Sequence, residues 1–170
     1  MPEAALPEPA SAADPGWLTP RSLEVAACIL RSHQLAFGRP LLPVRASSLD
    51  RRQRAQELFQ APLVLLAHDG GEDPRLVWAN REALRLWRRR WDTMVGLPSR
   101  LTAEPQWRRE RAEALQRARR LEAIEGYAGV RVDSDGRRFR IEGARLWTLR
   151  DPAAAPCGQA AAFGRWWWLD

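Results

Sequence analysis

Thiols, imidazoles and carboxylates are the groups that could do covalent chemistry here, and few are placed to combine. The chain holds two cysteines, Cys28 and Cys157, and two histidines, His33 and His68. His68 and Asp69 beside Cys157 would give a thiol nucleophile with its base, since cysteine attacks as the thiolate. Nothing in the spacing brings Cys157 to His68. The plainer reading is that His68 caps a strand end and Cys157 is a small packing residue. Four scattered ligands also lack the paired spacing of structural zinc sites. No catalytic residue and no metal ligand is assigned. Binding chemistry is better represented, in the block Pro98-Ser99-Arg100-Leu101-Thr102-Ala103-Glu104-Pro105. Arg100 can receive an anionic ligand. It can equally pair with Glu104, the two buried together in an irregular loop, because a charge taken out of water must be paired. Tyr127, Arg131, Arg140, Glu142 and Gln159 are the further candidates for a pocket. Their facing depends on where a bulge falls in the strands that carry them.

Those strands are the most legible part of the chain. From Ile124 to Leu149, two runs with partial alternation flank Asp133-Ser134-Asp135-Gly136, a hairpin turn in which Gly136 supplies the positive φ. Ile124, Gly126, Ala128, Val130 and Val132 are expected on one face, with Tyr127, Gly129 and Arg131 on the other. A bulge or a close approach is expected at Gly143. So long a hairpin belongs to a larger sheet. Leu63 to Ala67 and Leu76 to Ala79 are short apolar strands, the first covered on both faces. Cys157 to Trp168 makes a last strand. Asn80 caps a helix through Trp91 with Ala83, Leu84, Trp87 and Trp91 on one stripe, and Gln106 to Leu121 forms another helix. Two helices precede the sheet, Thr19 to Phe37 and a second capped by Ser48 or Asp50 that ends near Gln60. The expected divisions are 1–16 as a disordered Pro/Ala-rich tail, 17–61 as N-terminal helices, and 62–170 as an α+β domain.

The amphipathic Thr19 to Phe37 helix must cover this sheet or a partner's surface. Leu23, Ile29 and Leu30 are therefore candidates for a homodimer interface, with Trp166, Trp167 and Trp168 nearby. Three consecutive tryptophans on a strand must face both ways, so at least one ring lies on the outer sheet face. The formal charge is +6, with 27 basic residues, all arginine. An arginine-rich surface invites nucleic acid. Without a binding motif, and with many arginines beside glutamates on expected helices, nucleic acid stays an unfavoured partner. No segment has the apolar length of a membrane span, and no secretory leader is recognisable, so a cytoplasmic location is expected.

The segments LVLLAHDGGEDPRLVWANREAL, LPSRLTAEP with RRERAEAL, and IEGYAGVRVDSDGRRFRIEGARLWTLRD with GQAAAF carry a more specific signal. Together they resemble the MEKHLA domain, a PAS-like family of bacterial proteins that also ends plant class III homeodomain–leucine-zipper proteins. The resemblance implies a PAS-like five-stranded antiparallel sheet with helices on one face and a cavity between them. It implies sensing of a small ligand or association with itself or another protein, without catalysis. The alternatives are a nucleic-acid-associated regulator and a small enzyme using the cavity. Flavin PAS domains place a cysteine after the second strand, and haem PAS domains a histidine before the third. Met94 to Pro105 has no cysteine and Gln106 to Leu121 no histidine, so neither cofactor is supported and the ligand is left open.

Overall fold

Thr19 accepts a hydrogen bond from Ser22 N, and Pro20 takes the first position of helix α1, Pro20–Phe37. Gly38, at φ 68, ends it in the left-handed conformation that glycine tolerates. Asp50 and Gln53 form a reciprocal capping box at the start of α2, Arg51–Gln60. This is a computed structural model, and it describes residues 13–169. Most of the expected N-terminal tail, and Asp170, lie outside the described residues.

Six strands form one antiparallel sheet: β1 Val64–Asp69, β2 Leu76–Ala79, β3 Ala123–Val132, β4 Arg138–Arg150, β5 Pro156–Phe163 and β6 Arg165–Trp168. The order is β2-β1-β5-β4-β3, with β6 continuing beside β4 after a break at Gly164. The expected single last strand is therefore two, because the chain turns at Gly164 before Glu142 pairs with Arg165. Between β2 and β3 lie α3 Arg81–Trp87, α4 Trp91–Met94 and α5 Pro105–Leu121. Asn80 is fully buried and joins strands to helix. Its Oδ1 accepts from Ala83 N and Leu65 N, and its Nδ2 donates to Leu63 O.

The sheet is covered on both faces, which explains the unbroken apolar run of β1. On the outer face, α1 and α2 pack Ile29, Leu58 and Phe59 against Leu65, Trp78, Trp147 and Leu149. On the inner face, Ala83, Leu86, Trp87, Ala114 and Ala118 meet Val64, Phe139, Ile141 and Leu146. The helices between β2 and β3 lie on one face as expected, and the two preceding helices form a third layer on the other.

Three further expectations need correction. The helix expected to reach Trp91 stops at Trp87, because Arg88 turns left-handed at φ 54. Trp91 then swings to the outer cluster, edge-on to Trp78 at 5.8 Å, instead of sharing a stripe with Trp87. In β3, Ile124 and Tyr127 both face inward, because an extra residue is accommodated where Gly126 sits at φ 73. An opposing extra residue in β4 at Gly143, φ 63, restores the register, and there the expected bulge is present. Finally, Ile29, named for a dimer contact, has no exposure and packs in this chain's own outer cluster, with Leu23 and Leu30 partly buried against it. Trp166 and Trp168 instead pack edge-on to Phe139 at the opposite end of β4. Trp167 faces outward beside Arg140, 42% exposed and away from α1.

Candidate functional site

The inner layer leaves a cavity of about 50 Å³ between the sheet and α5. Apolar walls come from Leu66, Trp87, Ile141, Leu146 and Phe163. Five long polar side chains enter it from three directions. His68 and Gln159 are direct cross-strand partners on β1 and β5, so the pleat points both the same way. Tyr127 and Arg131 come from β3, and Arg111 comes down from α5.

The β3 pair is tightly fixed. Arg131 is 8% exposed; it donates to Val130 O at 2.9 Å and to the Tyr127 hydroxyl at 3.1 Å. Gly129 lies between the two on the same face. A Cβ there would sit 2.6 Å from the Tyr127 hydroxyl and 3.0 Å from Arg131 Nη1, so the missing side chain is the space the pair occupies. Arg111 is partly buried, and its pKa is pulled down to about 10, first by desolvation and then by the charge of Arg131. It remains a cation at neutral pH. Neither guanidinium forms an ion pair among the described residues, and the cavity lining contains no carboxylate.

On the strand side the polarity is reversed. His68, 6% exposed, donates Nδ1–H to the Asp69 carbonyl at 2.7 Å, which leaves Nε2 as a bare lone pair. Burial pushes its pKa down to about 4, so the ring is neutral. Gln159, 2% exposed, donates its amide to Leu115 O at 2.8 Å and so turns Oε1 away from α5. Both His68 Nε2 and Gln159 Oε1 are buried without a hydrogen-bond partner among the described residues, as is Thr148 Oγ1 across the strand from Gln159. The lining therefore presents both cations and acceptors that need a donor.

Of the residues singled out from sequence, Tyr127, Arg131 and Gln159 come together here. The others do not. Arg100 and Glu104 are not a buried pair: Arg100 reaches the half-exposed Asp73 at 3.2 Å, and Glu104 lies 3.8 Å from Arg138. Arg100 lies in the single 3-10 turn Ser99–Thr102 and Glu104 just beyond it, and of this stretch Thr102, not Arg100 or Glu104, lines the cavity. Arg140 and Glu142 pair with each other at 3.7 Å on the outer face. Arg111 and His68 belong to the site but were not assigned to it. Arg111 is one arginine among many on α5, and no sequence pattern marks it. His68 does carry a legible signal: a histidine at the inward position of a buried strand.

A nucleophile built from His68 and Cys157 is not assembled. Cys157 faces α1 with its sulfur 3.8 Å from that of Cys28, whereas His68 lines the inner cavity. Burial and the neighbouring thiol push the Cys157 pKa up to about 11, the wrong direction for a nucleophile. Among the described residues no group of three or more histidine, cysteine, aspartate or glutamate side chains could hold a metal, and no helix is long and apolar enough to cross a membrane.

The fold recurs in solved structures. A PAS domain of a protein from Colwellia psychrerythraea aligns over 65% of this chain and 92% of its own, at 14% identity and a TM-score of 0.56. A light-oxygen-voltage domain studied with a flavin analogue aligns over 69% of this chain and 85% of its own, at 15% identity and a TM-score of 0.54. An RNA-binding light-oxygen-voltage receptor aligns over 76% of this chain and 35% of its own, at 20% identity and a TM-score of 0.54. At such identities the likeness shows a PAS-like fold alone. No curated protein matches the chain. The family model of the MEKHLA domain matches residues 23–168, which takes in the outer helices as well as the sheet, and the chain belongs to the MEKHLA domain family.

Proposed function

We propose that this domain is a sensor that binds a small anion in the cavity between sheet and α5, without catalysing a reaction on it. One observation carries the reading: Arg111 and Arg131 converge on a buried cavity whose lining has no carboxylate. Two like charges taken out of water are costly unless something neutralises them, and an anion seated between them does so with charge-assisted hydrogen bonds. Membership of a PAS-like family supports a sensory role, and the separation of His68 from Cys157 supports binding over catalysis. A flavin does not fit this lining. The cavity is about 50 Å³, filled from the sides by Trp87 and Phe163, and neither cysteine lines it.

The test is the melting temperature of the full chain in acetate, glycolate, phosphate and chloride at equal ionic strength. A ligand at 100 times its Kd stabilises by about 2.7 kcal/mol, which is several degrees for a chain of this size. A rise with a small oxyanion over chloride that is lost in Arg131→Met is expected. Equal melting temperatures in all four salts would defeat the reading.

A further inference from the structure

The acceptors in the cavity lining narrow the ligand further. His68 Nε2 and Gln159 Oε1 are neutral acceptors, each more than nine-tenths buried, and they line the same cavity as the two guanidiniums. Their other hydrogen-bonding atoms are committed, Nδ1 to Asp69 O and Nε2 of the glutamine to Leu115 O, so neither can rotate to offer a donor without losing that bond. A simple carboxylate such as acetate would satisfy the arginines and leave both acceptors facing a methyl group. That arrangement keeps the cost of two desolvated acceptors. A ligand with one hydroxyl beside its carboxylate satisfies the arginines and one of the two acceptors.

Resting on the small-anion reading above, we infer that the ligand is a two- or three-carbon hydroxy acid. Its carboxylate lies against Arg111 and Arg131, and its hydroxyl donates to Gln159 Oε1, the more deeply buried of the two acceptors. An amino acid of the same size would also bring a donor, but as an ammonium. With two guanidiniums in the cavity and no carboxylate in its lining, a third cation has no counter-charge. A hydroxyl donates without adding charge. A cavity of about 50 Å³ is less than two water molecules' share of liquid volume, so even an acid this small enters only as α5 yields, and longer acids are excluded.

Calorimetric titration of the full chain with glycolate, lactate, acetate, glycine and inorganic phosphate tests the assignment. Glycolate or lactate should bind about tenfold more tightly than acetate, the value of one hydrogen bond to a buried acceptor, and glycine should bind no better than acetate. In Gln159→Met, verified as folded by circular dichroism, the advantage of glycolate over acetate should shrink to about twofold or less. The comparison in the unmodified protein stands even where that variant fails to fold. Acetate, glycine or phosphate binding as tightly as glycolate would overturn the hydroxy-acid assignment while leaving an anion site in place. No binding of any of the five would overturn both it and the small-anion reading.

Discussion

Arg131 is held in place by Tyr127, and Tyr127 has room because residue 129 has no side chain. Gly129→Ala would push a methyl group against the ends of two movable side chains and not against backbone. The expected outcome is a stability change within about 1 kcal/mol, together with an anion affinity reduced about tenfold, because the guanidinium is displaced from its aim. Denaturation and titration of the same variant measure the two effects, and unaltered affinity would show that Arg131 does not face the ligand. The histidines make a second prediction. His33 is fully buried, donating to Arg39 O and accepting from Arg145 at 2.6 Å; burial first, and then Arg145, lowers its pKa to about 4. Arg39 and Glu125 act on it in opposite directions, as do Arg111 and Asp69 on His68, which also lies near 4. In the unfolded chain both rings take protons near pH 6.5, so the unfolded state binds more protons between that pH and about 4. Stability should therefore fall as pH drops through this window, by up to about 1.4 kcal/mol per pH unit for each ring, and level off below it. Urea midpoints from pH 7 to pH 4 test this, with H33Q and H68Q each flattening the slope. A flat profile in the unmodified protein would refute it.

α5 is the helix with least to hold it. Only Ala114 and Ala118 of its 17 residues are buried, and Leu121 at its end is 61% exposed. What it does own is Arg111 in the cavity and the Leu115 carbonyl that accepts from Gln159. A ligand touching Arg111 and Gln159 would thus act on both the helix and its attachment. Amide exchange in α5 should slow at least severalfold with ligand bound while exchange in β4 barely alters, because core strands already sit near the global stability. Uniform protection across both elements would contradict this. The same element shows where sequence reasoning stops. Its amphipathic stripe is legible from Ala114, Leu115 and Ala118, but which of its arginines turns inward depends on how the helix rolls on the sheet. The hairpin is a sharper case. Its turn and its bulge at Gly143 follow from local composition, whereas the second irregularity at Gly126 is visible only once the register of β3 against β4 is known. That irregularity decides that Ile124 joins Tyr127 on the inner face.

At the scale of the whole molecule, the sheet separates two cores, and Leu84 packs against both. The inner core holds the cavity, and the outer one is sealed by α1 and α2. The α+β class, the strand order along the chain and the helix caps could all be read from periodicity and turn chemistry. The fate of the N-terminal helices could not. An amphipathic face says that something covers it, not whether that is a sheet of the same chain or of another. The two sulfurs at 3.8 Å turn this architecture into a clock. Cys28 rides on α1 and Cys157 on β5, 129 positions apart, so they can meet only while the outer layer is closed. Mild oxidation by a small disulfide reagent should join them, with loss of both titratable thiols and release of two reduced reagent molecules per chain. The reaction should quicken with rising pH, since the Cys157 thiol ionises only near 11. The bridge would raise stability by about 4–5 kcal/mol through the length of loop it closes. If the thiols cross-link only after denaturation, α1 does not rest on β5 in solution. If they cross-link in the native state, the yield over time reports how persistently the outer layer stays closed, and whether a ligand in the opposite core alters that persistence.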